Sequence, residues 1–179
     1  MSNTPQSTIL PSGKNSPDFY QVLLKYINIA GPIAGFSLAI GSIIITILAV
    51  SARSPQKLPV SAIASFGNKK IELEVASTPQ ELAYGLKFRP SLPQNRGMLF
   101  EIGKPQKVRF WMKDVAMPLD IIFIQPDGSV NFVAANAPPC HKESCPLYYS
   151  TNAVNRVLEL KSGKAKELGI KAGSAIKIN

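Results

Sequence analysis

Pro118-Leu119-Asp120-Ile121-Ile122-Phe123-Ile124-Gln125-Pro126-Asp127-Gly128-Ser129-Val130-Asn131-Phe132-Val133-Ala134-Ala135 is the stretch that decides the fold. Leu119 to Ile124 is an apolar run broken only by Asp120, Pro126-Asp127-Gly128 is a turn signal, and Ser129 to Ala135 returns. Two strands joined at Asp-Gly make a hairpin. Outward from it, Val60 to Phe66, a turn at Gly67-Asn68, and the alternating Lys70-Ile71-Glu72-Leu73-Glu74-Val75 make another. Gly97 to Phe100 and Lys107 to Met112 flank a turn near Gly103-Lys104-Pro105, and Val154 to Leu160 and Ser174 to Ile178 read as further strands. Thr78-Pro79-Gln80-Glu81 is a capping box that opens a helix stopped by Arg89-Pro90. Ser162 is placed to cap a second short helix ending at Gly169. The expected fold is mostly β with some α: a compact antiparallel barrel or sandwich with two short helices.

Ahead of this domain the chain changes character. Ile27 to Val50 carries no charge, and its 24 residues would make a helix of roughly 36 Å, long enough for a hydrocarbon core of about 30 Å. Tyr20 and Tyr26 precede it, where aromatic rings favour the interface. The expected organisation is a disordered cytoplasmic tail over 1–26, a transmembrane signal anchor over 27–50, a stiff Pro-containing spacer over 51–59, and a domain over 60–179. Val50-Ser51-Ala52 is also a cleavage pattern, so secretion after a cut near Ala52 stands as the alternative.

The net charge of +9 and pI near 9.7 raise nucleic acid as a partner. From Ser61 onward there are sixteen Lys or Arg against ten Asp or Glu, a balance of +6. These are scattered, only Lys69 and Lys70 being adjacent, and no basic run interleaves with aromatics. Nucleic acid is therefore not expected, whereas weak attraction of a tethered domain to anionic headgroups is.

Charge does not orient the segment, because Lys14 and Lys25 on one side balance Arg53 and Lys57 on the other. The cysteines decide. Cys140 and Cys145 are the only two, and a close pair beyond a signal anchor points to a local disulfide in an oxidising compartment, with the domain extracytoplasmic. Two other readings of the pair stay open: a soft-metal site with His141 and Met112 or Met117, and a free or catalytic thiol. Cys-x4-Cys is not a common zinc spacing, and no metal or cofactor is expected.

Gly85-Leu86 with Arg89, Gly97-Met98-Leu99-Phe100, Phe110-Trp111-Met112-Lys113, Pro118 to Ile124, Asp127-Gly128 and Val157-Leu158-Glu159-Leu160 occur in one order. That series resembles the family called domain of unknown function 192, over about Ile71 to Ile178. The resemblance implies a compact, mostly β, barrel-like domain, often exported or membrane-anchored in bacteria and archaea, and brings no established activity. The loop from Pro139-Cys140 to Cys145-Pro146 is similar to that of cyanobacterial members. One departure stands out: the family usually carries Asn-Thr after Trp-Met-Lys, where this chain has Asp114-Val115.

Arg89, Lys113 and Asp120 are the polar members of otherwise apolar motifs. A charge beside a buried strand needs a partner, so a structural ion pair or hydrogen-bond cluster is one reading. The other is a site for a small polar or anionic ligand, with Trp111 as a flat wall and Asp120 orienting the ligand. The expected function is a membrane-anchored extracytoplasmic domain that binds such a ligand, or an envelope partner, without catalysis. An envelope hydrolase using Asp120 with Arg89 or Lys113 is the alternative, although no phosphate loop or nucleophile elbow is present.

Overall fold

The structure is a computed structural model that describes residues 24–25, 39–46 and 53–179. The chain divides into two units, Met1–Ala52 and Arg53–Asn179. In the first, 24–25 and 39–46 are helical; the rest of the expected tail over 1–26, and most of the expected membrane span, lie outside the described residues. Among the described residues no helix is long and apolar enough to cross a membrane.

The second unit runs β1 (Val60–Phe66), β2 (Lys69–Ala76), α1 (Pro79–Tyr84), β3 (Arg96–Gln106), β4 (Arg109–Trp111), β5 (Leu119–Ile124), β6 (Val130–Ala137), β7 (Leu147–Tyr149), β8 (Val154–Lys161), α2 (Lys164–Glu167) and β9 (Lys177–Ile178). Seven strands form one sheet in the order β6-β5-β8-β3-β2-β1-β9, while β4 and β7 pair separately as a two-stranded ribbon. The sheet curls into a half-barrel, so the mostly β expectation holds while the barrel or sandwich expected becomes an open, curled sheet. The segments at or next to its two edge strands join where Val130 donates to the Ser174 carbonyl at 2.8 Å and Ile176 to that of Gly128 at 3.0 Å. Nor is the sheet purely antiparallel: β2 and β3 run parallel, with α1 in the crossover between them.

Both faces of the central strands are covered. Leu119, Ile121 and Phe123 of β5 enter one apolar cluster with Met98, Phe100, Met112 and Val157. Ile122 and Ile124 enter another with Leu73, Leu99, Leu158 and Leu160. All six β5 residues are buried, which is why the strand reads as a run rather than an alternation. Gly97 is required by close packing: a Cβ there would lie 2.7 Å from Leu160 Cδ2 and 2.9 Å from the Glu159 carbonyl oxygen.

Local signals produce local structure where they are complete. Thr78 Oγ1 accepts from the Glu81 N–H at 3.3 Å, while Glu81 Oε2 accepts from the N–H groups of Thr78 and Ser77 at 2.9 Å each. The second helix departs from expectation. Gly163, with φ +83°, stands at its N-cap, and Ser162 turns its hydroxyl to Asn136 Oδ1 instead. Two further expectations change. Gly103 to Pro105 is no turn but part of β3, where the register to β8 shifts between Glu101 and Gln106. The segment that holds both cysteines leads into β7, and the expected spacer joins the domain from Ser54 onward, whose carbonyl accepts from the Tyr84 hydroxyl.

Candidate functional site

Arg89 follows α1 and is buried. Its Nη1 donates to Glu74 Oε1 at 2.7 Å, and Nη2 reaches both Glu74 Oε2 and the Gln56 carbonyl. Burial alone would raise the Glu74 pKa, but the Arg89 hydrogen bond, the Leu58 N–H and the charges of Arg89 and Arg96 outweigh it and hold the carboxyl below its ordinary range. Gln56 in turn donates to the Glu81 and Gly85 carbonyls at 3.0 and 2.8 Å, adding to the Gly85 N–H that the Glu81 carbonyl already accepts at the end of α1. The Arg89–Glu74 pair therefore clamps residues 56–58 onto the domain.

Asp120 is 1% exposed and leaves β5 on the face opposite Ile121. One carboxyl oxygen accepts from the Asn136 N–H and the other from the Ala165 N–H, both at 2.8 Å. The second bond supplies from a distance the cap that Ser162 does not give α2. Arg89 and Asp120 thus each bind other partners, and the structure does not gather Arg89, Lys113 and Asp120 into one pocket.

It does bring Trp111 and Lys113 together. Trp111, at the end of β4, is 46% exposed, with Lys113 Nζ 6.0 Å and Lys87 Nζ 5.9 Å from its ring centroid. Both lysines precede residues in the left-handed region, Phe88 and Asp114, each with φ +61°. The Phe88 N–H donates to the Asp114 carbonyl at 2.8 Å, and Asp114 donates to that of Cys140 at 3.1 Å. A bulky residue at positive φ is strained, and such strain collects at functional sites. Asp and Asn are the side-chain-bearing residues that best tolerate this region, so the Asp114 departure from the family pattern keeps the backbone role. Cys140 is bonded to Cys145, which ties the approach to β7 against the chain leaving β4.

Beneath the lysines is a cleft lined by Lys87, Phe100, Phe110, Trp111, Lys113 and Glu159 among others, with room of about 40 Å³. That holds two or three waters or the end of a ligand; a whole drug-sized molecule needs about 300 Å³ or more. Glu159, on β8, is 4% exposed, and its carboxyl accepts no hydrogen bond from the described residues. Burial pushes its pKa up to about 8, so it is a neutral acid at pH 7. A protonated carboxyl at the bottom of a cleft can donate a hydrogen bond without repelling an anion. Neither Glu159 nor Lys87 is picked out by the sequence reading; the signal for Glu159 is one carboxylate inside the apolar Val157 to Leu160. Among the described residues no three His, Cys, Asp or Glu cluster as metal ligands.

Solved structures share this fold, two of them as follows. One, from Sinorhizobium meliloti 1021 and described as a candidate transcription regulator, is 30% identical with a TM-score of 0.60, covering 68% of this chain and 97% of that one. The other, a protein of unknown function from Novosphingobium aromaticivorans DSM 12444, is 34% identical with a TM-score of 0.59, covering 70% and 92%. A comparison with curated proteins finds no match. The profile of DUF192, described as an uncharacterized ACR, matches residues 62–178, nearly the whole half-barrel with its cleft. By that match the chain belongs to the DUF192 family.

Proposed function

We propose that this is a membrane-anchored, extracytoplasmic, non-catalytic domain that binds the anionic end of a small ligand at Trp111. The observation that carries the reading is the pairing of two lysines over one half-exposed indole with a neutral carboxyl beneath them. The lysines attract the anion, the indole gives a flat apolar wall, and Glu159 donates to a ligand oxygen. Anchoring is supported by the uncharged Ile27 to Val50, and the extracytoplasmic side by the Cys140–Cys145 bond. The regulator description of the Sinorhizobium protein does not transfer. The two helices of the 53–179 unit have six and four residues, too short to fill a major groove.

Trp111 is the only tryptophan, so its emission reports the cleft directly. Titration with acetate, phosphate and sulfate, alongside native mass spectrometry of the purified chain, tests the reading. A response in the wild type that disappears in Lys87→Ala/Lys113→Ala is expected, and it should weaken above pH 8 as Glu159 ionises. Flat emission with every anion and no small adduct on the purified chain would remove the proposal.

A further inference from the structure

The β4–β7 ribbon has two unlike faces. Phe110 turns inward and meets Phe100 and Phe123 edge-on at 5.1 and 6.0 Å, while Tyr148, opposite it, packs on the same cluster. Alternation leaves Arg109, Trp111, Leu147 and Tyr149 on the outer face, as two cross-strand pairs. Trp111, Leu147 and Tyr149 are 46, 39 and 56% exposed. The ribbon is held at one end by Val108 and Ser150, whose backbone and hydroxyl groups bond at 3.0 Å, and at the other by the disulfide. Lys107, Lys113 and Lys142 flank the ribbon strands in sequence and Lys87 lies over Trp111, with Asp114 and Glu143 the acidic neighbours in sequence and Glu159 in the cleft below.

The patch also lies near the point where the chain leaves the domain. The Tyr84 hydroxyl donates to the Ser54 carbonyl, the Tyr84 ring meets Phe88 edge-on at 5.9 Å, and Lys87 beside it lies over Trp111. From Val50 to Ser54 there are only three intervening residues, a reach of roughly 14 Å for four Cα steps. A domain on so short a tether stays within reach of the surface that holds its anchor.

We propose that the outer face of the β4–β7 ribbon docks on an anionic lipid bilayer, with Trp111 and Tyr149 at headgroup depth and Arg109 and the neighbouring lysines on lipid phosphates. The proposal rests on the reading of residues 27–50 as a membrane anchor. Trp and Tyr favour the interface, and each basic residue near an anionic leaflet adds a weak attraction that salt screens. The tether makes docking intramolecular, so such weak terms suffice. Four outward side chains fall short of the roughly 800 Å² per partner of a stable protein interface, which disfavours a protein occupant.

The test uses the full chain reconstituted in phosphatidylcholine vesicles with and without phosphatidylglycerol, with lipids brominated near the headgroup or unbrominated. Trp111 emission should shift to the blue and be quenched by bromolipid when phosphatidylglycerol is present. High salt, or Lys107→Glu with Arg109→Glu, should reverse both effects. If alkaline carbonate strips the chain from the vesicles, the anchoring reading falls and takes the docking with it. If the chain resists carbonate and Trp111 ignores bromolipid, the docking alone falls. An emission change that follows protein density rather than bromine would replace the bilayer with a second copy of this chain, and would equally overturn the proposal.

Discussion

Asp120 and Glu159 are buried acids on paired strands, and the fold treats them in opposite ways. In the β5–β8 register Asp120 faces Leu160 and Ile121 faces Glu159, so the two carboxyls leave opposite faces of the sheet. Asp120 receives two backbone N–H groups at 2.8 Å and stays closed off. Glu159 receives none from the described residues, and burial raises its pKa to about 8 beside a cleft. Burial alone therefore does not distinguish a structural acid from a candidate binding group. What distinguishes them is whether the fold supplies the partners that a buried carboxylate requires. Arg89 belongs with Asp120 on this test, since its charge is matched by Glu74.

The contrast breaks most readily at Asp120. Asp120→Ala leaves the Ala165 N–H buried without an acceptor, removes the part-buried bond from the Asn136 N–H as well, and should cost about 4 kcal/mol in all. Chemical denaturation would show it, and a variant as stable as the wild type would return Asp120 to the ligand-site reading. Arg89→Ala comes next, at about 3 kcal/mol, because it strands Glu74. The double variant Arg89→Met/Glu74→Leu should recover most of that loss, as apolar replacements of buried pairs do. If the double variant is no better than Arg89→Ala, the corner serves for more than its charges.

How much of this was legible in the sequence follows from how local each signal is. The β5–β6 hairpin at Asp127-Gly128, the β1–β2 hairpin and the Thr78 capping box involve residues that are near neighbours in the chain, and all are present. The parallel β2–β3 pair and the β4–β7 ribbon join distant segments, Arg109 to Tyr149 for example, and periodicity names no partner. Hence the sequence points to an antiparallel barrel or sandwich where a mixed half-barrel stands. The site divides in the same way. Trp111 and Lys113 sit two apart in one motif and were legible together. Lys87 reaches them from the end of α1 and Glu159 from β8, by tertiary packing alone. Arg89 and Asp120 stood out as charges in apolar motifs, but their partners (a glutamate on β2 and two backbone amides) leave no mark beside them.

Glu159 sharpens the contrast by reversing its sign. Its folded pKa of about 8 lies above the ordinary 4.5, so its contribution is intact below pH 4.5 and is lost as pH rises towards 8. Glu74 does the reverse: its folded pKa lies below the ordinary value, so its contribution holds above pH 4.5 and is lost as pH falls. Glu159→Gln should therefore match the wild type at pH 4 and exceed it by about 2 kcal/mol at pH 9, a discounted share of what the full shift would give. Equal stabilities at pH 9 would mean that the carboxyl is better solvated or partnered than its surroundings suggest. The smallest stability effect belongs to Lys113→Ala, within about 0.5 kcal/mol, since a half-buried cation over an exposed ring holds little of the fold together. That small cost is itself the test of purpose. If Lys113→Ala leaves the melting curve alone yet abolishes the anion response of Trp111, the lysine is placed for a ligand; if it unfolds the domain, the strained turn at Asp114 depends on it and the cleft loses its claim.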